Sequence, residues 1–456
     1  MTDAGVALRA LLQRAGVSPE QLARRLNLEA SRLGLPNRID QKTPYKWFRG
    51  TQPRPPWPAL VAHLLSSLLD SEITVCDLGW ELDDPGILCM SADSGLALPW
   101  TAQGALTAAA AVTEATTMDR RVFLGLTGSA LTAPALDWLL AQPVNDLHGF
   151  KGRRIHEAHV DSIEELTAHL RRMDDQFGGG AVLNLVRAQV RYVVDLLRDH
   201  SYTEGVGARL HGAAAELLRL AGWLSFDSGH QPQAQRYWLA ALHSAHAAND
   251  RAAGANILGF MSCQAKDLEL YDDAIKLSEA ARRGYSGTSP RVKAILNLRA
   301  AQAYAQLREV TTCRAAIDSA YESLRDTTPD TNDPSWAYWL DEAQANEQIG
   351  YCYLRLEDWG RARGHLRTAL RLQGNPDTRE GALRQALLAI TYARQGEPEH
   401  ACEAGIRASD ILAKDVDSDR CVGHIRNVQI ALGPYRKIPA VAEFNEHVDQ
   451  LFGVPA

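Results

Sequence analysis

Thr43, Tyr45, Lys46, Arg49, Thr51, Gln52 and Arg54 crowd hydroxyl, ammonium, guanidinium and amide groups into one short stretch, with Arg38, Gln41 and Lys42 just ahead of it. Hydroxyls and amides can hydrogen-bond base edges or phosphate oxygens. Lys and Arg neutralise phosphates and release counterions. The charge balance agrees with that chemistry. Residues 1–60 hold ten Lys/Arg against four Asp/Glu, whereas the whole chain of 456 residues has a net charge of −7. One end of an acidic protein is therefore suited to approach an anion. A lone charge in such a stretch would be read as solvated surface, but this cluster on one short helix is read as a contact with double-stranded DNA.

The elements that must position these groups are legible as helices. Leu8, Leu11, Leu12 and Ala15 form one apolar face, which Gly16 ends. Ser18, Pro19 and Gln21 open a second helix, with Ser18 as cap and Gln21 completing a capping box. Its apolar face runs through Ala23, Leu26, Ala30 and Leu33, and Gly34 and Pro36 close it. Thr43 is expected to cap a third helix, with Trp47 as its core anchor and Gly50 as its left-handed exit. Leu60, Val61, Leu64, Leu65 and Leu68 line a fourth helix, and Leu78 and Trp80 close the bundle. A helix of this kind fits the major groove and offers its first residues to base edges.

Residues 83–155 are less regular and read as a partly helical linker. Lys151, Arg153 and Arg154 within it are read as solvated surface. The rest, to residue 456, reads as a repeat domain: residues 157–200 look like one helical pair, and from about Ala215 a register recurs. Its central small residues are Ala234, Ala274, Cys313, Ala362 and Ala401, in steps of 40, 39, 49 and 39. Gly350, Tyr353, Ala362, Leu366 and Ala369 have the internal spacing of a tetratricopeptide repeat. Small residues recur because paired helices must approach closely, and one pair alone cannot bury its apolar face, so units stack. The steps exceed the usual spacing of about 34, which predicts longer helices or loops. Projecting the register onto the first helices places Glu216, Arg219, Trp223, Asn256, Lys266, Gln302, Gln306, Gln344, Glu347, Tyr351, Arg355 and Arg394 on the inner side. Amides, charges and aromatics in a groove suit a peptide, a small molecule or a protein partner. The competing reading is a solvated or dimerising face.

Other chemistries are missing from the text. There is no G-K-[ST] loop, no H-E-x-x-H and no G-x-S-x-G elbow. His156 with His159, and His243 with His246, have helical spacing but no third ligand nearby in sequence, so a structural or surface role is expected and no metal or cofactor is implied. The seven cysteines are odd in number and irregular in spacing, which fits buried thiols in a reducing cytoplasm. No window of about 18 apolar residues appears, so no membrane span is expected. An enzyme is not expected.

The N-terminal 82 residues resemble the Xre/Cro-type helix-turn-helix family. The resemblance rests on Ser18-Pro19-Glu20-Gln21-Leu22-Ala23, on Thr43-Pro44-Tyr45-Lys46-Trp47-Phe48-Arg49-Gly50, and on the following Pro53. The chain departs from that family in the long connection from Gly34 to Thr43. A helix-turn-helix ahead of tetratricopeptide repeats resembles the peptide-sensing RRNPP regulators of Gram-positive bacteria. It is also similar to actinomycete regulators of sporulation and antibiotic production, through Asp119 to Thr127, Leu220-Ala221-Gly222-Trp223, Ala234-Gln235-Arg236-Tyr237 and Asp341-Glu342-Ala343-Gln344. The resemblance implies transcription control, commonly as a homodimer. The expectation is thus an all-α protein: a DNA-binding bundle (1–82), the linker (83–155) and a repeat superhelix (156–456). The alternative is a protein-interaction adaptor in which the repeats alone do the work.

Overall fold

The computed structural model describes residues 3–32, 38–51, 53–54, 57–69, 73, 78, 80, 98–114, 125–145, 147–177, 179–326, 332–415 and 418–453. Apart from one two-residue ribbon, β1 (Gly149–Phe150) paired antiparallel with β2 (Ser201–Tyr202), the regular structure among them is helical. The chain divides into two compact units, residues 1–97 with 127–142, and residues 98–126 with 143–456. The stretch read as a linker therefore contributes elements to both.

The first unit packs α1 (Asp3–Arg14), α2 (Pro19–Arg32), α3 (Thr43–Phe48) and α4 (Trp57–Leu69) around one core. Leu8, Leu12, Leu22, Leu26, Leu60, Val61 and Leu65 are buried there, with Leu64 and Leu68 partly so. Leu78 and Trp80 close it as expected. Trp80 meets Trp47 edge-on at 5.8 Å between ring centroids. The capping box of α2 is present in both directions. The Ser18 hydroxyl accepts from the Gln21 amide at 3.2 Å, and the Ser18 amide donates to the Gln21 side chain at 2.9 Å. A further helix from the supposed linker, Ser129–Leu140, lays Leu136 and Leu140 on the same core.

The second unit is a succession of helix pairs. In order, they are Glu204–Asp227 with Gln231–Ala247, Arg251–Asp267 with Tyr271–Gly284, Pro290–Gln306 with Val310–Arg325, Glu342–Arg355 with Trp359–Leu372, and Arg379–Arg394 with Pro398–Asp415. Helices Glu157–Phe177 and Gly179–Asp199 precede them, and Asp419–Leu432 with Pro439–Phe452 follow. Ala234, Ala274, Cys313, Ala362 and Ala401 are all fully buried between the two helices of their pairs. Gly222 shows why small residues recur: a Cβ there would lie 2.4 Å from the Trp238 ring, and one on Gly350 would lie 2.8 Å from Leu366.

The five turns share one geometry. The residue five positions ahead of each central small residue has positive φ: Gly229 (77°), Glu269 (62°), Arg308 (58°), Glu357 (61°) and Gly396 (80°). The amide of the next residue reaches back to close the first helix, as in His230 to Ser225 at 2.8 Å and Asp358 to Tyr353 at 2.9 Å. This double closure satisfies carbonyls that the helix end would otherwise orphan. Three of the five positions are not glycine, so the geometry is imposed by the pairing of the helices and not by local freedom.

Candidate nucleic-acid interface and repeat cavity

The basic stretch is rigid on one side and solvated on the other. Trp47 and Phe48 turn inward and are 3% and 6% exposed. Lys46 and Arg49 are exposed, as are Gln41, Lys42, Thr51 and Arg54, while Thr43 is half-buried. Arg38 is exposed as well. Gln52 lies outside the described residues, as do residues 33–37 of the long connection and residues 115–124. Thr43 does not cap the helix as the sequence suggested. The helix begins at Thr43 itself, and Asp40 shapes the entry, its carboxylate accepting from the Lys42 amide at 2.8 Å and its carbonyl from the Thr43 amide at 2.9 Å. The exit runs through Gly50 at φ 94°, with the Gly50 amide on the Trp47 carbonyl and the Thr51 amide on the Lys46 carbonyl.

Two contacts that sequence reasoning missed hold this stretch in place. The Asn27 side chain brackets the backbone of Ile39, donating to its carbonyl at 2.8 Å and accepting from its amide at 2.9 Å. The Tyr45 hydroxyl donates to Glu20 at 2.5 Å, which raises the phenol and lowers the carboxyl from their ordinary values. Tyr45 thus ties α3 to the first turn of α2 while staying 40% exposed. Arg9 lies 5.0 Å over the Phe48 ring. Among the described residues, Lys42, Lys46, Arg49 and Arg54 have no ion-pair partner, so their charge is available to an anion. Arg14, Arg24 and Arg25 are also exposed in this unit.

The second unit encloses a cavity of about 340 Å³. Seven of the projected groove residues line it: Arg219, Trp223, Lys266, Gln302, Gln344, Glu347 and Tyr351. Glu216 stands behind it, paired with the lining Arg171. Gln306 donates to the Tyr351 hydroxyl at 2.6 Å. Asn256 is buried but does not line the cavity, and Arg355 and Arg394, at the last positions of their helices, are exposed and do not line it either.

Several lining groups come from outside the projected register. Arg379 donates to Asp174 at 2.9 Å and to Asp227 at 3.3 Å, and Arg420 donates to Asp227 at 3.0 Å. Asp227 is fully buried, and against that desolvation Arg379 and Arg420 hold its carboxyl below the usual range. Arg379 and Arg420 also lie over the Trp223 ring at 5.3 and 5.1 Å. Arg384 donates to Glu347 at 3.0 Å and to Gln344 at 3.0 Å. Burial nonetheless pushes the Glu347 carboxyl up to about 7, against the pull of Arg384. Lys266 is buried with Asp267 as partner and sits 4.5 Å over the Tyr351 ring. The pairs of Arg379 and Arg420 join the first helices of this unit to its last ones.

Among the described residues, no group of three or more His, Cys, Asp or Glu is placed to hold a metal ion. His243 stacks on Trp100 at 4.1 Å, and His246 meets it edge-on. His156 and His159 are exposed. The five described cysteines are buried and free. Cys76 and Cys89 lie outside the described residues. Among the described residues, no helix is long and apolar enough to cross a membrane.

Residues 8–81 match the SP15 N-terminal domain family. That span begins at the buried Leu8 and ends one residue past the buried Trp80, so it coincides with the core of helices α1 to α4. No curated protein matches the chain.

Proposed function

We propose that this chain is a sequence-specific DNA-binding transcription regulator, in which the first unit reads the duplex and the cavity of the second receives an effector. One observation carries the reading: α3 buries Trp47 and Phe48 while presenting Lys46 and Arg49 to solvent, between exposed Lys42 and Arg54. A rigid basic edge of this kind gains little from folding alone, because none of these cations completes an ion pair among the described residues. It gains a great deal from a polyanion, since each phosphate it neutralises releases counterions. Residues able to pair with base edges, Gln41, Thr43, Tyr45 and Thr51, stand among the cations. The wider classification belongs to the same proposal: an Xre-like helix-turn-helix followed by tetratricopeptide-type pairs, working as a homodimer in the cytoplasm. The recurrent left-handed turns and buried small residues support the repeat part of it.

The test is a gel-shift titration of the full chain on the DNA upstream of its own coding sequence, at several salt concentrations. Saturable, sequence-dependent binding that weakens steeply with salt is expected. Equal, feeble binding to any duplex would overturn the reading and leave an adaptor built on the repeats.

A further inference from the structure

The cavity of the second unit is lined by two guanidiniums whose hydrogen bonding its own residues leave incomplete. Arg219 is only 9% exposed, lines the cavity, and has an Nε with no hydrogen-bond partner. Arg171 lines the same cavity, is 6% exposed, and likewise has an unpartnered Nε. Its terminal nitrogens donate to Glu216 and, at 3.5 Å, to the Ser335 hydroxyl. Burial and the neighbouring Arg219 push the Arg171 guanidinium down to about 10, so the two cations face one another at a cost. Of the nearby carboxylates, Asp174 is hydrogen-bonded to Arg379 and Asp175 to the Tyr338 hydroxyl; their charges favour the charged form of Arg219, but neither makes a hydrogen bond to it. A buried guanidinium left short of acceptors is expensive, and an anion entering the cavity would supply them.

The wall beside these cations is flat and aromatic. Arg219 lies 5.2 Å over the Phe260 ring, and Arg171 6.0 Å from the Tyr338 ring. A volume of about 340 Å³ lies in the range of small-molecule pockets and is small for an extended peptide.

We infer that the cavity binds a small aromatic anion, with its carboxylate or sulfonate on the guanidinium groups that line it, chiefly that of Arg219, and its ring against Phe260 and Tyr338. This deepens the effector-site reading above and names the chemical class that the site accepts.

Two fluorescent probes that share a ring system test it on the full chain: 1-anilinonaphthalene-8-sulfonate and its uncharged counterpart N-phenyl-1-naphthylamine. The sulfonate should bind saturably at one site per chain, at least tenfold more tightly than the neutral probe. Arg219→Met should abolish that preference while leaving the neutral probe's affinity within about twofold. A measurement on the unaltered protein guards against a variant that fails to fold: 1-naphthoate should displace the bound sulfonate, and 1-naphthalenemethanol should not. Equal binding of the two probes, no binding of either, a preference that survives Arg219→Met, or equal displacement by acid and alcohol overturns the inference. Because the gel shift is read separately, loss of the probe preference with DNA binding intact removes only the ligand class. Loss of DNA binding with the preference intact removes only the regulator.

Discussion

The two units use arginine in opposite ways, although the same side chain sits on helices in both. In the first unit Arg14, Arg24, Arg25, Arg49 and Arg54 are exposed, and the core beneath them is purely apolar. In the second, Arg379 and Arg384 are 3% and 5% exposed and are bound to carboxylates that are themselves buried. An exposed guanidinium keeps its hydration and contributes little to folding. A buried one loses hydration and is held only by partners of good geometry, so it fixes one arrangement of the helices around it. The first unit thus keeps its charge at the surface, while the second, which also carries exposed arginines, buries Arg379 and Arg384 in pairs that join helices distant in sequence.

The largest expected effects are those that break the buried sides. Arg379→Met would strand Asp174, leave Asp227 on Arg420 alone, and should cost the second unit about 3–5 kcal/mol. Trp47→Ala empties the core against Trp80 and should cost the first unit a similar amount, about 3–5 kcal/mol. Hydrogen-exchange mass spectrometry separates the two. Arg379→Met should lose protection in peptides from 204–227 and 379–394, and Trp47→Ala in peptides from 19–32 and 57–69. An Arg379→Met protein as protected as the parent would show that the buried network is dispensable, and the contrast between the units would fail.

A smaller effect concerns pH. Burial pushes His211, 3% exposed on the helix Glu204–Asp227, down to about 4 from an ordinary 6.5. Between those values the unfolded chain binds a proton that the folded chain refuses. The contribution of His211 is therefore complete above about pH 6.5 and is lost as pH falls toward 4, by at most about 3 kcal/mol. Glu347 works in the opposite sense: with its carboxyl raised to about 7, its contribution is present at low pH and lost as pH rises through 7. Comparing denaturation of the parent and His211→Gln at pH 7.5 and pH 5 isolates the histidine. The parent should lose more stability than the variant on acidification, and equal losses would show that His211 does not resist protonation.

The apolar architecture was legible in the sequence because it is periodic. The faces of α1, α2 and α4 and the recurring small residues of the pairs follow from spacing alone. Charge was legible only where it stays in water. Asp174 and Arg379 are 205 positions apart, and nothing local marks either as buried. Glu269, Arg308 and Glu357 carry no glycine signature, although they hold the same left-handed turn as Gly229 and Gly396. The register found seven cavity residues because one helix face follows a period. Arg355 and Arg394, on the same register, do not line the cavity. The Asn27 bracket on Ile39 was invisible for another reason: an asparagine in mid-helix shows nothing of the chain it will hold.

The smallest change in stability belongs to the cations that, on this comparison, are not there for folding. Lys46→Ala and Arg49→Ala remove exposed charges without emptying the core, so each should shift stability by no more than about 0.5 kcal/mol. Each should lower DNA affinity roughly equally across sequences and reduce the slope of log affinity against log salt by about 1, as the loss of one phosphate contact requires. Tyr45→Phe differs in kind: it removes the hydroxyl from Glu20, loosens α3 against α2, and should weaken DNA binding with little change in that slope. If Lys46→Ala and Arg49→Ala leave both affinity and slope untouched, the exposed edge of α3 is solvated surface, and the excess of positive charge in residues 1–60 needs another partner.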